Sequence, residues 1–195
     1  MKNFRFAILG AGHIARRFCD AVSRIDGCEV CAVASKSLVR AENFAKENGV
    51  ENYYDDYEML LEKEKPDCAY IAVTSNDHYR LSVLCVNHSV PVLCEKAMFQ
   101  NSDEAKNLYA LASEKKIFVM EALWSRYLPA VQQVKRWVEQ EKIGMPTVLQ
   151  CNIGFLAPDE KENRYFNPKL GGGAAKDITV YAYEITTFIL NQAIK

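Results

Sequence analysis

Apolar positions along this chain change period repeatedly, from continuous runs of strand length to stripes at helical spacing and back. Residues 6–9 form a short apolar run, and beyond Gly10 the apolar residues Ile14, Phe18, Ala21 and Val22 recur at the spacing of a helix face. The runs at 29–34, 68–73, 90–94 and 117–122 read as further strands. Between them lie helices at 38–48, from Asp56 onward through Tyr57, Leu60 and Leu61, at 79–87 and from Asn101 to about Lys115. Ser35 or Ser37 caps the second helix, Gly49 ends it, and Asn101 and Glu104 have the spacing of a capping box. Strict alternation of strand and helix predicts a doubly wound α/β domain, a parallel sheet covered on both faces, over residues 1–122. Residues 123–195 then begin a second domain. It holds a helix at 129–141 with the stripe Val131, Val134, Trp137 and Val138, a strand at 147–155, a charged loop at 159–164 and a helix at 174–190.

The first strand ends in Gly10-Ala11-Gly12-His13-Ile14-Ala15. Gly10 permits a tight turn and Gly12 lets backbone approach a pyrophosphate. Ala15 keeps the helix packed on the strand, so phosphates would sit on the N–H groups of His13, Ile14 and Ala15 at the positive helix end. Small residues also make ordinary strand-to-helix turns, and the strand–turn–helix context is what favours a dinucleotide. The second strand ends in Ala34-Ser35-Lys36-Ser37, where an acid would hold the ribose hydroxyls of NAD. No acid stands there. Ser35, Lys36 and Arg40 suit a 2'-phosphate, so NADP is expected in preference to NAD.

Other strand ends place candidate chemistry on the same rim. Thr74, Asn76 and His78 follow the strand at 68–73 and can line the cofactor, although His78 is equally read as a helix-start histidine with a structural hydrogen bond. Glu95 and Lys96 follow the strand at 90–94. A lysine there is costly unless paired or in use, either with Glu95 or a cofactor phosphate, or in polarising a substrate oxygen. Trp124, Arg126 and Tyr127 can wall a nicotinamide site or fill a domain junction. Asp177 and Tyr181, four apart on the last helix, would share a face. A cation such as Lys96 would let the Tyr181 phenol exchange a proton; the bland alternatives are a half-buried aromatic and a first-turn acid.

Composition narrows the class. The 195 residues are 49% hydrophobic, with 25 acids against 24 bases and no basic stripe, which argues against nucleic-acid and membrane-surface partners. The apolar runs are too short to span a bilayer, and Met1-Lys2-Asn3 leads directly into the first strand, so a cytoplasmic protein is expected. Seven cysteines, with one CxxC at Cys28 and Cys31 and no second pair, suggest reduced thiols and no metal site.

With these motifs in hand, the chain resembles the Gfo/Idh/MocA oxidoreductases, in the branch similar to dimeric dihydrodiol dehydrogenases and glucose-fructose oxidoreductase. The likeness rests on AILGAGHIA, ASKS, CEKA at 94–97, MEALWSRYLPA at 120–130 and RYFNPKLGGGAAKDITVY at 164–181. It implies a Rossmann-type domain followed by the start of an α+β domain, a nicotinamide cofactor, and hydride transfer at a carbinol or carbonyl carbon of a sugar or diol. It also implies a catalytic trio, here Lys96, Asp177 and Tyr181. Ala97 replaces a usual proline, Ala175-Lys176 a usual leucine pair and Thr179 a usual glycine. Relatives continue further into an open sheet that commonly forms a dimer, so homo-oligomerisation is implied only with the full second domain, and the chain reads as shortened. A shortened chain that binds NADP(H) without catalysis, as a sensor or interaction module, is the alternative.

Overall fold

Strands β1 (Phe4–Leu9), β2 (Cys28–Ala34), β3 (Asn52–Tyr54), β4 (Cys68–Ile71), β5 (Val92–Cys94) and β6 (Val119–Glu121) form one sheet in the order β3-β2-β1-β4-β5-β6. Every pairing is parallel. The computed structural model describes residues 2–158, 163 and 165–192. Helices α1 (His13–Val22), α2 (Leu38–Asn48), α3 (Tyr57–Glu64), α4 (His78–Asn87) and α5 (Ser102–Lys115) connect the strands. This is the doubly wound dinucleotide-binding order, with the direction of winding reversing between β1 and β4. The chain divides into two compact units, Met1–Glu121 and Ala122–Lys195.

The first unit folds because its apolar runs are sealed from both sides. Ile8, Leu9, Leu60, Ile71, Leu81 and Leu108 are fully buried, each such side chain contributing about 1.5–3 kcal/mol. Local signals agree with the burial. Ser37 accepts from the Arg40 amide, Asp56 from Met59 and Asn101 from Asp103 and Glu104, while Gly49 ends α2 in the left-handed region. Glu104 reaches back to the Gln100 amide at 2.7 Å, one residue before the expected capping-box partner. All seven cysteines are free and five are buried, and burial pushes the Cys19, Cys31 and Cys68 thiols up to about 11. Among the described residues no helix is long and apolar enough to cross a membrane.

The second unit carries α6 (Pro129–Glu139), α7 (Ala174–Asp177) and α8 (Thr179–Leu190), with single turns of 3-10 helix at Trp124–Tyr127 and Pro168–Leu170. Two expectations fail here. Residues 147–155 form no strand, because a strand needs a ladder partner and none of the described residues of this unit provides one. The last helix is broken at Ile178 (φ −116°, ψ −32°). Ile178, Thr179 and Val180 are β-branched in succession, and the Thr179 hydroxyl donates to the Ala174 carbonyl at 3.0 Å, drawing local bonding away from a continuous ladder. Asp177 therefore ends one helix and Tyr181 sits in the next. In the first unit, β3 was not expected from the sequence. The loop expected at 159–164 lies outside the described residues apart from Asn163.

Candidate functional site

A parallel sheet carries all its strand ends to one edge, and most of the candidate residues follow from that. The Gly10–Ala15 turn leaves β1, the Ser35–Arg40 segment leaves β2, Thr74–His78 follows β4, and Glu95 and Lys96 follow β5. The β1 turn is dictated by geometry. Gly10 has φ +118°, and a Cβ there would lie 2.5 Å from the Ala72 carbonyl oxygen. Gly12 is different. Its φ is −106°, and a Cβ would meet only the Ala72 oxygen at 3.9 Å, so the fold itself does not require glycine there. No side chain caps α1, whereas α2, α3 and α5 are capped by Ser37, Asp56 and Asn101. Ala15 is fully buried, which brings the helix start close to the sheet; His13 and Ile14 are exposed, with His13 Nε2 accepting from Arg17 at 3.2 Å. An uncapped helix start beyond a two-glycine turn, at the switch point of the sheet, is a fit for a diphosphate.

Beside β2 the structure revises one role. Ser35 is 1% exposed and its hydroxyl accepts from Arg40 at 3.3 Å, so it holds the guanidinium and does not face solvent. Arg40 and Lys36 are exposed. Lys36 pairs at 2.5 Å with Asp77, which also takes Arg80 at 3.1 Å. Burial raises the Asp77 pKa, but hydrogen bonds from Lys36 and Arg80 outweigh it and leave the carboxyl below its usual range. Lys36, Arg40 and Arg80 against Asp77 leave an excess of positive charge. Asp77 and Arg80 were not picked out from the sequence, because Asp77 reaches Lys36 from the loop after β4, 41 positions away.

Between β4 and β5 the rim is braced internally. His78 is 1% exposed, with Nδ1 2.9 Å from the Ala97 carbonyl oxygen and Nε2 3.1 Å from that of Val73. Both ring nitrogens thus face backbone carbonyls, and His78 ties two rim segments together, which is the structural one of its two readings. Burial is the larger influence on its pKa, lowering it against the two carbonyls, which raise it. Glu95 accepts from the Tyr70 hydroxyl at 2.6 Å, and the Tyr70 ring stacks on Phe18 of α1 at 3.9 Å. Lys96 is half-buried directly after Glu95 and is joined to Ala97 by a cis peptide bond. Thr74 and Asn76 stand where expected, at the start of the turn that leads into α4.

The second unit assembles its own cluster. The Trp124 indole Nε1–H donates to the Tyr181 hydroxyl oxygen at 3.0 Å, the rings meeting edge to face with centroids 6.0 Å apart. One turn along α8, the buried Glu184 carboxylate accepts from the Ser125 hydroxyl and from Arg126 Nε, both at 2.6 Å. The Arg126 guanidinium also lies over the Phe188 ring at 5.4 Å. Arg126, expected at the cofactor, is thus engaged within its own unit. Ser125 and Glu184 escaped the sequence reading: an i, i+3 pair of Tyr and Glu on a helix carries no motif, and its partners lie almost 60 positions earlier.

This Rossmann sheet with a phosphate-ready first turn defines a nucleotide-dependent class of protein, and family models divide the chain in the same sense. A model described as "Oxidoreductase family, NAD-binding Rossmann fold" matches residues 4–123, and one described as "GFO/IDH/MocA C-terminal domain" matches residues 131–195. The chain belongs to the Gfo/Idh/MocA oxidoreductase family. It is 30% identical over 189 residues to a trans-1,2-dihydrobenzene-1,2-diol dehydrogenase of Xenopus laevis, covering 96% of this chain and 57% of the relative. It is 29% identical over 185 residues to a scyllo-inositol 2-dehydrogenase (NADP(+)) of Bacillus subtilis, covering 91% and 55%. An oxidoreductase of Agrobacterium radiobacter, solved with NAD+, L-tartaric acid and magnesium, shares the fold with a TM-score of 0.80 at 23% identity, over 97% of this chain and 55% of that one. The chain spans about half the length of the curated relatives it matches.

Proposed function

We propose that this chain binds NADP(H) and serves hydride transfer at a carbinol or carbonyl carbon of a small sugar or diol. Residues 1–122 are the dinucleotide-binding domain in this reading, and residues 123–195 part of a substrate domain. The observation that carries it is the start of α1 at the switch point of the sheet, which has no side-chain cap and follows a glycine that the fold does not itself demand. The amides of His13, Ile14 and Ala15 would hold the diphosphate. Lys36 and Arg40, with Arg40 held by Ser35, would take a 2'-phosphate, and the NADP(+) in the name of the Bacillus relative agrees with that choice.

When bound, the nicotinamide supplies the hydride acceptor or donor. The chain's own residues supply the proton chemistry. Tyr181 transfers the proton of the reacting hydroxyl, Lys96 favours the phenolate and holds the substrate oxygen, and Asp177 orients the substrate or the lysine.

Fluorescence titration with NADPH and NADH tests the reading. NADPH binds more tightly, and Arg40→Ala together with Lys36→Ala removes most of the difference. Equal affinity for the two coenzymes overturns the phosphate assignment. In assays over sugars and aromatic diols, Lys96→Ala and Tyr181→Phe each lower turnover by about tenfold or more while NADPH affinity changes little. NADPH binding with no turnover by the unaltered chain favours the non-catalytic alternative.

A further inference from the structure

We propose that Trp124 is a positioning residue for proton transfer: its indole N–H, donated to the Tyr181 hydroxyl oxygen, stabilises that oxygen as it gains negative charge. The inference rests on the role given to Tyr181 above and adds a residue to it. An indole nitrogen can only donate, so the phenol oxygen is necessarily the acceptor in this 3.0 Å bond. A bond from a fixed donor strengthens when its acceptor ionises, and a group that hydrogen-bonds the charged form favours that form. Tyr181 is 9% exposed, so water competes poorly for the same oxygen.

The bond is held in place from both sides. Trp124 and Ser125 are adjacent in one 3-10 turn, and Tyr181 and Glu184 lie one turn apart on α8. The Ser125 and Arg126 bonds to Glu184 therefore fasten the turn to the helix next to the Trp124–Tyr181 pair, and the edge-to-face ring contact fixes the indole plane.

The other charges on elements packed with α8 are largely matched. Glu184 is met by Arg126, and on α6 Lys135 pairs with Glu139 at 2.8 Å while Arg136 bonds to Gln133. On α7, Lys176 and Asp177 precede Tyr181 by five and four positions. Within this unit the neutral indole dipole is a group in direct contact with the phenol oxygen, placed to act on its ionisation.

Nuclear magnetic resonance on the full chain tests this without turnover. In protein carrying 13Cζ-tyrosine, the Tyr181 signal is the one missing from Tyr181→Phe. Its titration midpoint rises by about one pH unit in Trp124→Phe, which keeps an aromatic ring but has no N–H. The chain has two tryptophans, so the Trp124 indole signal is the one that survives in Trp137→Phe. At neutral pH that signal moves in Tyr181→Phe and its solvent exchange quickens, a check that needs no alkaline titration. An unchanged Tyr181 midpoint in Trp124→Phe, or an indole signal indifferent to Tyr181→Phe, overturns the inference whatever the turnover. A shifted midpoint in a protein that reduces or oxidises nothing leaves the indole's effect on the Tyr181 phenol standing and overturns the reaction proposed above.

Discussion

The two units are made from similarly apolar sequence, yet they bury it in different ways. In Met1–Glu121, a sheet with helices on both faces covers both sides of its central strands, and one buried core cluster joins residues from Ala7 to Ala112. In Ala122–Lys195, α6 and α8 offer each other single stripes. The buried apolar residues described there are Tyr181 and Ile189, while Met145, Val148 and Leu156 are 85–98% exposed. What fixes this unit is directional instead, the bonds of Trp124, Ser125 and Arg126 to α8.

The strongest way to break that comparison is to truncate one leucine in each unit. Leu60 is fully buried, so Leu60→Ala costs about 2–5 kcal/mol in urea unfolding. Leu156 is 98% exposed, and Leu156→Ala changes stability by no more than about 0.5 kcal/mol. Comparable losses in the two variants would mean that the second unit has an apolar interior after all.

A smaller effect separates structure from binding within the first unit. Gly10→Ala places a methyl against the Ala72 carbonyl at a φ of +118° and loses about 1–3 kcal/mol from backbone strain, with more from the clash. Gly12→Ala meets no such obstacle. Thermal unfolding leaves it near the unaltered protein, while NADPH titration shows it markedly weakened. If Gly12→Ala binds NADPH as well as the unaltered chain, the α1 turn is not the diphosphate site.

Much of the first unit was legible in the sequence because its signals are local. The caps at Ser37, Asp56 and Asn101, the glycine ending α2 and the strand-length apolar runs each specify structure within a few residues. β3 escaped because three residues, Asn52-Tyr53-Tyr54, are too short to establish a period. The expected strand at 147–155 misled because alternation reports a willingness to pair, and pairing requires a neighbour. The site divided along the same line. Turn glycines and strand-end residues were readable, whereas Asp77 bonding Lys36 across 41 positions and Glu184 bonding Ser125 across 59 are properties of the fold. Ser35 was read as a 2'-phosphate contact, and only the fold reveals that it is buried and accepts from Arg40.

The smallest effect tests the asymmetry through protons. The three histidines, His13, His78 and His88, all lie in the first unit. Burial holds the His78 pKa below its ordinary value, with the Ala97 and Val73 carbonyls opposing more weakly. The unfolded chain therefore takes up a proton near pH 6.5 that the folded chain still declines, so between the two pKa values stability rises with pH. Lowering the pH from 7 through 6.5 weakens the first unit, and His78→Gln, which cannot titrate, weakens less over the same interval. Hydrogen exchange resolves the units separately. Corrected for intrinsic chemistry, the amides of β4 and β5 lose protection with falling pH in the unaltered protein and lose less in His78→Gln, while the α8 amides respond alike in both. Equal slopes for β4 and β5 in the two proteins would mean that His78 takes up its proton as readily in the fold as in the unfolded chain.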